Sequence, residues 1–189
     1  MKRFFSTLLA LLLCLCTVLP AQASTPSFSW NSMEFCSAFN PILYNFIGES
    51  AYWKSPDANT RIGTFTNSPI IEISSENGKV TTISMTSTIS AIDEDDINIK
   101  INGLWLAVIT GSVSAAILND FDVISDMDVQ EQLYAQLGNL CVNAFDKLDY
   151  SKYIDIHTET ITLCNIDITC TSFHIGWTTP IIVNIVLKP

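Results

Sequence analysis

The segment INIKINGLWLAVITGSVSAAIL, residues 97–118, decides the fold, because it carries one charge, Lys100, within a far more polar chain. Three structures fit it: a membrane-spanning helix, a buried helix of a globular domain, or a β-hairpin that turns at Asn102-Gly103. A membrane span is disfavoured, since the uncharged part is only about as long as the minimum for a bilayer and is diluted by polar residues.

The hairpin and the buried helix both fit the apolar pattern of this segment. An Asn-Gly turn would pair Ile101 with Leu104 and place alternate apolar residues on one face. The later part has apolar residues at helical spacing and a stripe of small residues, Ala107, Gly111 and Ala115, suited to close packing. We predict a buried helix over residues 96–118, with the hairpin as the alternative for its first half.

The amino terminus has the pattern of a secretory signal peptide. Lys2 and Arg3 precede an apolar run over residues 4–19, and Ala21-Gln22-Ala23 forms an A-x-A cleavage site. We therefore expect a cleaved signal peptide (1–23), a linker (24–30) and a single domain (31–189), in a secreted or periplasmic protein. An uncleaved amino-terminal anchor is the alternative.

The charge of the chain restricts its partners. Loss of Lys2 and Arg3 with the signal peptide lowers the formal net charge from −10 to −12. Such a surface repels phosphate backbones and anionic lipids, so we expect no nucleic-acid partner and, after cleavage, no stable membrane span.

Four cysteines follow the expected cleavage site: Cys36, Cys141, Cys164 and Cys170. An even number in an exported protein makes all four disulfide candidates, with three possible pairings. In one continuous strand over residues 161–175, Cys164 and Cys170 would lie about 20 Å apart, too far to bond, whereas a turn through residues 165–169 would bring them together. Four buried thiols are the alternative.

Two helices flank the central segment. Asn31 and Glu34 have the spacing of a capping box, and a bulky apolar stripe follows to a stop at Gly48. Pro41 is expected to kink this helix or to restart it from Asn40. This stripe, on a helix near Ser32–Ile47, suits the core or the wall of an apolar-ligand pocket. The clearest helical spacing covers residues 129–148, with a capping box at residues 128 and 131 and Lys147 in the last turn.

The remaining segments predict strands. A hairpin over residues 70–75 and 79–89 is expected to turn through the three-residue loop Glu76-Asn77-Gly78, with Ile71 opposite Ile83 and an outer surface of serine and threonine. Residues 54–63 read as a loop. Strands at 153–164, 168–177 and 181–188, with a turn at 178–180, form a meander whose apolar last strand should lie inside the sheet. The fold class is therefore α+β, with two layers: about three helices on a mostly antiparallel sheet, in the order helix, hairpin, two helices, meander.

Candidate chemistry is sparse. His157 and His174 are the two histidines, and His174 follows Cys170 by four residues, on the same strand face. The acidic runs at residues 93–96 and 120–128 lack the spacing of a calcium loop. No motif assigns a catalytic, cofactor-binding or metal-binding residue, and no cofactor is indicated.

The leading functional hypothesis is therefore a non-catalytic binding or interaction module of the cell envelope or exterior, with an unknown protein or a small apolar ligand as partner. One alternative is a hydrolase or redox enzyme that uses Cys170 or Cys141 with His174. The other is a carrier of an apolar ligand held beside the aromatic first helix. The oligomeric state is left open.

Overall fold

The computed structural model describes residues 26–65, 70–90, 106–117, 127–176 and 178–188, which contain three helices and seven strands. In chain order these are α1 (Ser32–Ile47), β1 (Tyr52–Lys54), β2 (Thr60–Thr64), β3 (Ile70–Glu76), β4 (Lys79–Ser90), α2 (Leu106–Ile117), α3 (Met127–Asp146), β5 (Ile154–Leu163), β6 (Ile166–Ile175) and β7 (Thr178–Leu187). The protein therefore has the mixed α+β fold class that its sequence predicts.

All seven strands belong to one antiparallel sheet, in the order β1-β2-β3-β4-β7-β6-β5. The first four strands and the last three form two meanders, which meet where β4 pairs with β7. Strand β7 lies inside the sheet, as predicted, and Ile181, Val183 and Ile185 on it are fully buried.

The β3–β4 hairpin corrects the predicted turn. Glu76 pairs with Lys79, so the turn has two residues, Asn77 and Gly78, both with positive φ (52° and 76°). This is the backbone that an Asn-Gly turn favours. A register shift between Ser74 and Ser75 then sets Ile73 opposite Ile83 and Ile71 opposite Met85, so the predicted pairing of Ile71 with Ile83 is wrong. The bulge restores the apolar pairing that a two-residue turn would otherwise lose.

Three other segments differ from the sequence prediction. The loop expected at residues 54–63 contains most of β2. The turn expected at residues 178–180 is instead the start of β7, and the positive φ of 57° lies earlier, at Gly176. Residues 161–175 turn back as a hairpin and do not form one continuous strand, but the turn lies at Cys164 and Asn165, both with positive φ, and not at residues 165–169. Cys170 consequently pairs with Glu159, so the predicted approach of Cys164 to Cys170 is wrong.

Helix α1 has the predicted bounds and caps. The Asn31 side chain accepts hydrogen bonds from the backbone of Met33 and Glu34, the Glu34 carboxylate accepts one from Asn31, and Gly48 adopts the left-handed conformation that ends the helix. Pro41 lies inside a helix that continues through it. Helix α3 begins at Met127, so Asp128 lies inside its first turn, and Lys147 follows its last residue.

Helix α2 confirms the helical interpretation of the central segment for residues 106–117. Its predicted start at residues 96–105, and with it the alternative turn at Asn102-Gly103, lies outside the described residues. A Cβ atom on Gly111 would lie 3.3 Å from Cε2 of Phe39. The small residue therefore permits the close packing of α2 on α1 that the sequence suggested.

The core contains a stack of aromatic rings around α1. Ring centroids are 4.7 Å apart for Phe28 and Trp30, 5.4 Å for Trp30 and Phe35, and 5.5 Å for Phe35 and Phe39, and Trp53 of β1 packs edge-on against Phe39 at 5.9 Å. The segment predicted as a linker thus contributes two buried aromatic side chains. Backbone hydrogen bonds from residues 28 and 80 fix it beside β4.

None of the helices in the described part of the chain is both long enough and apolar enough to cross a bilayer.

Candidate binding surface

The two faces of the sheet have different side chains. One face carries the buried aliphatic residues of β3, β4, β6 and β7 and contacts α1 through β3 and α3 through β5 and β6. The other face, which points outward, is half-exposed to exposed and rich in hydroxyl groups. We call it the hydroxyl face, and its serine and threonine residues are Thr60, Thr64, Ser74, Thr82, Ser84, Thr86, Thr158, Thr160, Thr162, Thr169 and Thr171.

Hydrogen bonds between neighbouring strands order these hydroxyl groups. Thr158 and Thr171 share a bond of 3.1 Å, and Thr160 and Thr169 one of 3.0 Å. Near the middle of the sheet, Ser84 Oγ donates to Asn184 Oδ1 at 2.7 Å. Each hydroxyl group offers one donor and two acceptor positions, so these pairs retain capacity for an external partner.

The hydroxyl face is poor in charge. Leaving aside the hairpin turns, the described strand residues of this face carry three charged side chains: Lys54, Glu72 and Asp167. The Asp167 carboxylate accepts a hydrogen bond from Thr162. The whole chain has a formal net charge of −10. The described residues of this face therefore contribute little to that net charge.

One corner of the hydroxyl face is apolar. Ile154 and Ile156 of β5 are each 57 % exposed, and they pair with Ile175 and Phe173 of β6. The face thus combines ordered hydroxyl groups with an apolar patch at its β5 edge. Other apolar side chains lie among the hydroxyl groups, namely Ile62, Ile70, Ile182 and Val186.

A cluster of charges lies on the opposite side of β5. The Glu159 carboxylate accepts hydrogen bonds from Lys147 Nζ and from His157 Nε2, the latter at 2.8 Å, and these two partners lower its pKa. The backbone N–H of Asp149, and then Lys152, lower the pKa of Asp155 in the same way. This cluster ties the segment after α3 to the edge strand.

The structure separates the two members of the proposed Cys–His pair. Cys170 and His174 both lie buried on β6, but the Cys170 thiol contacts Cys141 of α3, and the His174 ring packs edge-on against Tyr150 with centroids 4.9 Å apart. The hydrogen bond with Cys141, followed by burial, raises the pKa of the Cys170 thiol far above its usual value. A thiol held in its protonated form is a poor nucleophile, which opposes Cys170 as the nucleophile of the enzyme hypothesis.

The other predicted residues lie apart from this pair. All four cysteines are free thiols, with no pair at disulfide distance: Cys141 and Cys170 are buried, Cys36 is half-buried, and Cys164 is exposed in the β5–β6 turn. Burial, offset in part by Arg61, raises the pKa of Cys36 to about 11. His157 lies on β5 with Glu159, and the imidazole Nδ1 of His174 is buried without a hydrogen-bond partner.

Within the described ranges, His, Cys, Asp and Glu side chains do not form a group of three that could hold a metal ion. Residues 93–96 and 118–126, which carry most of the acidic runs, lie outside those ranges.

The outward face of the sheet was only partly foreseen. The serine and threonine surface predicted for β3 and β4 is confirmed for Ser74, Thr82, Ser84 and Thr86. The side chain of Thr88 is not among those that the structure describes. The continuation of this surface over β5 and β6 was missed, although alternate threonines at 158, 160 and 162 and at 169 and 171 carry the signal.

These features define an α+β protein with one face of its sheet in the core and one face rich in hydroxyl groups. No protein-family model, curated protein or solved structure matches the chain.

Proposed function

We propose that this is an exported, two-layer, non-catalytic binding module of the cell envelope or exterior, and that the hydroxyl face binds an uncharged polysaccharide. The observation that carries the proposal is the broad outward face of the sheet, where ordered hydroxyl groups extend from β2 to β5 with few charges. The signal-peptide pattern of residues 1–23 supports export.

The chemistry of the face favours a sugar polymer over a protein. Protein interfaces are depleted in serine, and their energetic centres are enriched in tryptophan, tyrosine and arginine, with few serine and threonine residues. In the middle of this face Ser84, Asn184 and Thr169 form a polar row across three strands, with Ile182 and Val186 on either side of Asn184. Neighbouring strands repeat at about 4.8 Å, which gives regularly spaced hydroxyl and amide groups.

Electrostatics points the same way. A neutral polymer meets little repulsion at the hydroxyl face, whereas an anionic one would be repelled by the net charge of the chain. The apolar patch of Ile154, Ile156 and Phe173 offers a surface for the C–H groups of a sugar ring. Hydroxyl and C–H groups are what an uncharged polysaccharide presents.

Binding to insoluble neutral polysaccharides, followed by a glycan array, tests this function. Thr160→Glu and Thr86→Glu place a charge at exposed positions of the hydroxyl face, and each should weaken binding at least tenfold. Ser37→Glu likewise replaces a hydroxyl side chain by a carboxylate, at an exposed position of α1, and should bind like the wild type. Equal binding by all three variants, no binding to any glycan, or capture of a protein in place of a glycan would contradict the proposal.

Export is tested separately by sequencing the amino terminus of the protein recovered from its native host. We expect it to begin at Ser24. An intact Met1 on the protein recovered outside the cytoplasm would contradict cleavage.

A further inference from the structure

Strand β5 is a long edge of the sheet. It pairs with β6 on one side and extends over the ten residues Ile154–Leu163, with no proline, glycine or lysine. Proline and lysine are two of the usual means of blocking strand addition at an edge. Inward-pointing charges are another, but the Asp155 and Glu159 carboxylates of β5 are already bonded to groups of their own chain. The opposite edge strand, β1, has three residues and is followed closely by Pro56. The β5 edge is therefore the part of this sheet suited to accept another strand.

We propose that β5 pairs with β5 of a second copy of this chain, antiparallel about a two-fold axis at Thr158, so that two sheets become one. An axis perpendicular to the sheet keeps each side chain on its own face. Residues of the core face then meet residues of the core face, and hydroxyl-face residues meet each other. This condition leaves few registers to compare.

The charges on the core side of β5 select among these registers. With the axis at His157, Asp155 would lie opposite Glu159 of the second copy, and with the axis at Glu159 the two glutamates would oppose each other. Like charges directly opposite destabilise a strand pair. With the axis at Thr158, His157 of each copy lies opposite Glu159 of the other, and Asp155 lies opposite Ile161.

The same register also gives the exposed side chains of β5 cross-strand neighbours, while their outward surfaces stay on the hydroxyl face. It pairs residues 154–162 of the two copies, so Ile154 meets Thr162 and Ile156 meets Thr160. These two isoleucines are among the most exposed large apolar side chains of the described residues. Of the registers without opposed carboxylates, this one gives the longest ladder, because moving the axis to Ile156 or Thr160 shortens the overlap.

Electrostatics makes the partner specific. Glu159 is already bonded to Lys147 and His157 of its own chain, and in this register it lies opposite an imidazole of the second copy and not opposite another carboxylate. A chain of net charge −10 repels its own copies through most contacts. A contact through β5 avoids that repulsion, because it is made by backbone groups, by the His–Glu pairs and by the neutral side chains of Thr158, Thr160 and Thr162. The self-complementary pattern of β5 thus fits a second copy.

Site-directed cross-linking tests the register in the full-length mature protein. In a Cys164→Ser background, Thr158→Cys places two thiols across the axis, with Cα atoms about 5 Å apart. The matched change Thr162→Cys places them about 26 Å apart. A short bis-maleimide should give a covalent dimer with the first variant, and monomer with the second and with the Cys164→Ser parent. Equal cross-linking of the two cysteine variants would overturn the register.

Light scattering after size exclusion tests the interface without cysteines. The wild type should be dimeric at micromolar concentration, and Thr158→Asp, which opposes two carboxylates on the axis, should weaken dimerisation at least tenfold. Thr86→Asp on the hydroxyl face of β4 makes the same change away from the edge and should remain dimeric, and circular dichroism should show both variants folded. A monomeric wild type at all concentrations, or a folded Thr158→Asp variant that remains as dimeric as Thr86→Asp, would overturn the proposal.

Discussion

Replacement of Phe39 by alanine tests the aromatic stack that holds α1 on the sheet. The side chain is fully buried, stacks on Phe35 at 5.5 Å and meets Trp53 edge-on at 5.9 Å. Removing a buried phenylalanine ring costs about 3–5 kcal/mol, including the cavity that it leaves. Collapse of the cavity is opposed by Gly111, whose backbone already lies against the ring. We expect a loss of about 4 kcal/mol in the free energy of unfolding.

Urea titration followed by tryptophan fluorescence measures this loss, since Trp30 and Trp53 lie in the same stack. For a chain of this length the loss corresponds to a fall of about 8–16 °C in Tm. Tyr44→Ala is the control, because Tyr44 is on the same helix but 60 % exposed, and it should cost less than about 0.5 kcal/mol. A Phe39→Ala protein within about 1 kcal/mol of the wild type, or an equal loss in the control, would refute the stack as a major source of stability.

Three other predictions concern the caps, the charges and the thiols. Asn31→Ala removes the side chain that caps α1 and should cost about 1 kcal/mol in urea titration; an unchanged midpoint would show that the capping box contributes nothing. Because Lys147 and His157 hold the pKa of Glu159 below its ordinary 4.5, their stabilisation is present above that pH and is lost as the pH falls through the lower folded-state pKa. Glu159→Gln should therefore lose less stability than the wild type in titrations from pH 5 downward, and parallel losses in the two proteins would disprove this. Finally, iodoacetamide should modify Cys164 rapidly in the native protein but reach Cys141 and Cys170 only after unfolding, because these two are buried and the pKa of Cys170 is raised; mass mapping that finds Cys170 modified as fast as Cys164 would contradict it.

Local rules predicted the helices well. The bounds of α1 follow from Asn31, Glu34 and Gly48, each of which acts within one turn of the helix. The helical interpretation of α2 follows in the same way from apolar spacing, and a stripe containing Gly111 fits its close contact with Phe39. Such signals depend on neighbours in sequence, so one sequence is enough to find them.

Strand pairing was harder to predict because its causes are not local. The register of β3 and β4 depends on a bulge beside Ser75, which changes the pairing without a residue type that marks it. Strand β2 is short and polar, so its own sequence does not indicate a strand. It forms because its residues Thr60 to Gly63 pair with β3. Pro180 suggested a turn, yet it lies within β7 opposite Thr88.

The candidate surface was foreseen only in part, for a related reason. Alternate hydroxyl residues predicted an outer surface for Ser74, Thr82 and Ser84, but the sequence does not show that Asn184 and Thr169 continue the same row across the sheet. That continuity depends on strand order. The contact of Cys141 with Cys170 could not be predicted from the sequence for the same reason, because it requires α3 to pack over β6.

The pairing of β4 with β7 has a consequence for folding kinetics. Ser84 and Asn184, which share a hydrogen bond in the middle of the sheet, are 100 residues apart in the chain. Closing so long a loop costs entropy before any contact repays it, so such topologies fold slowly. During synthesis β4 leaves the ribosome well before β7. The edge of β4 that pairs with β7 in the finished sheet is therefore without that partner during this interval. Strand β7, the last of the described strands to be made, therefore joins the two meanders, and we expect its pairing with β4 to be a late and slow step of folding.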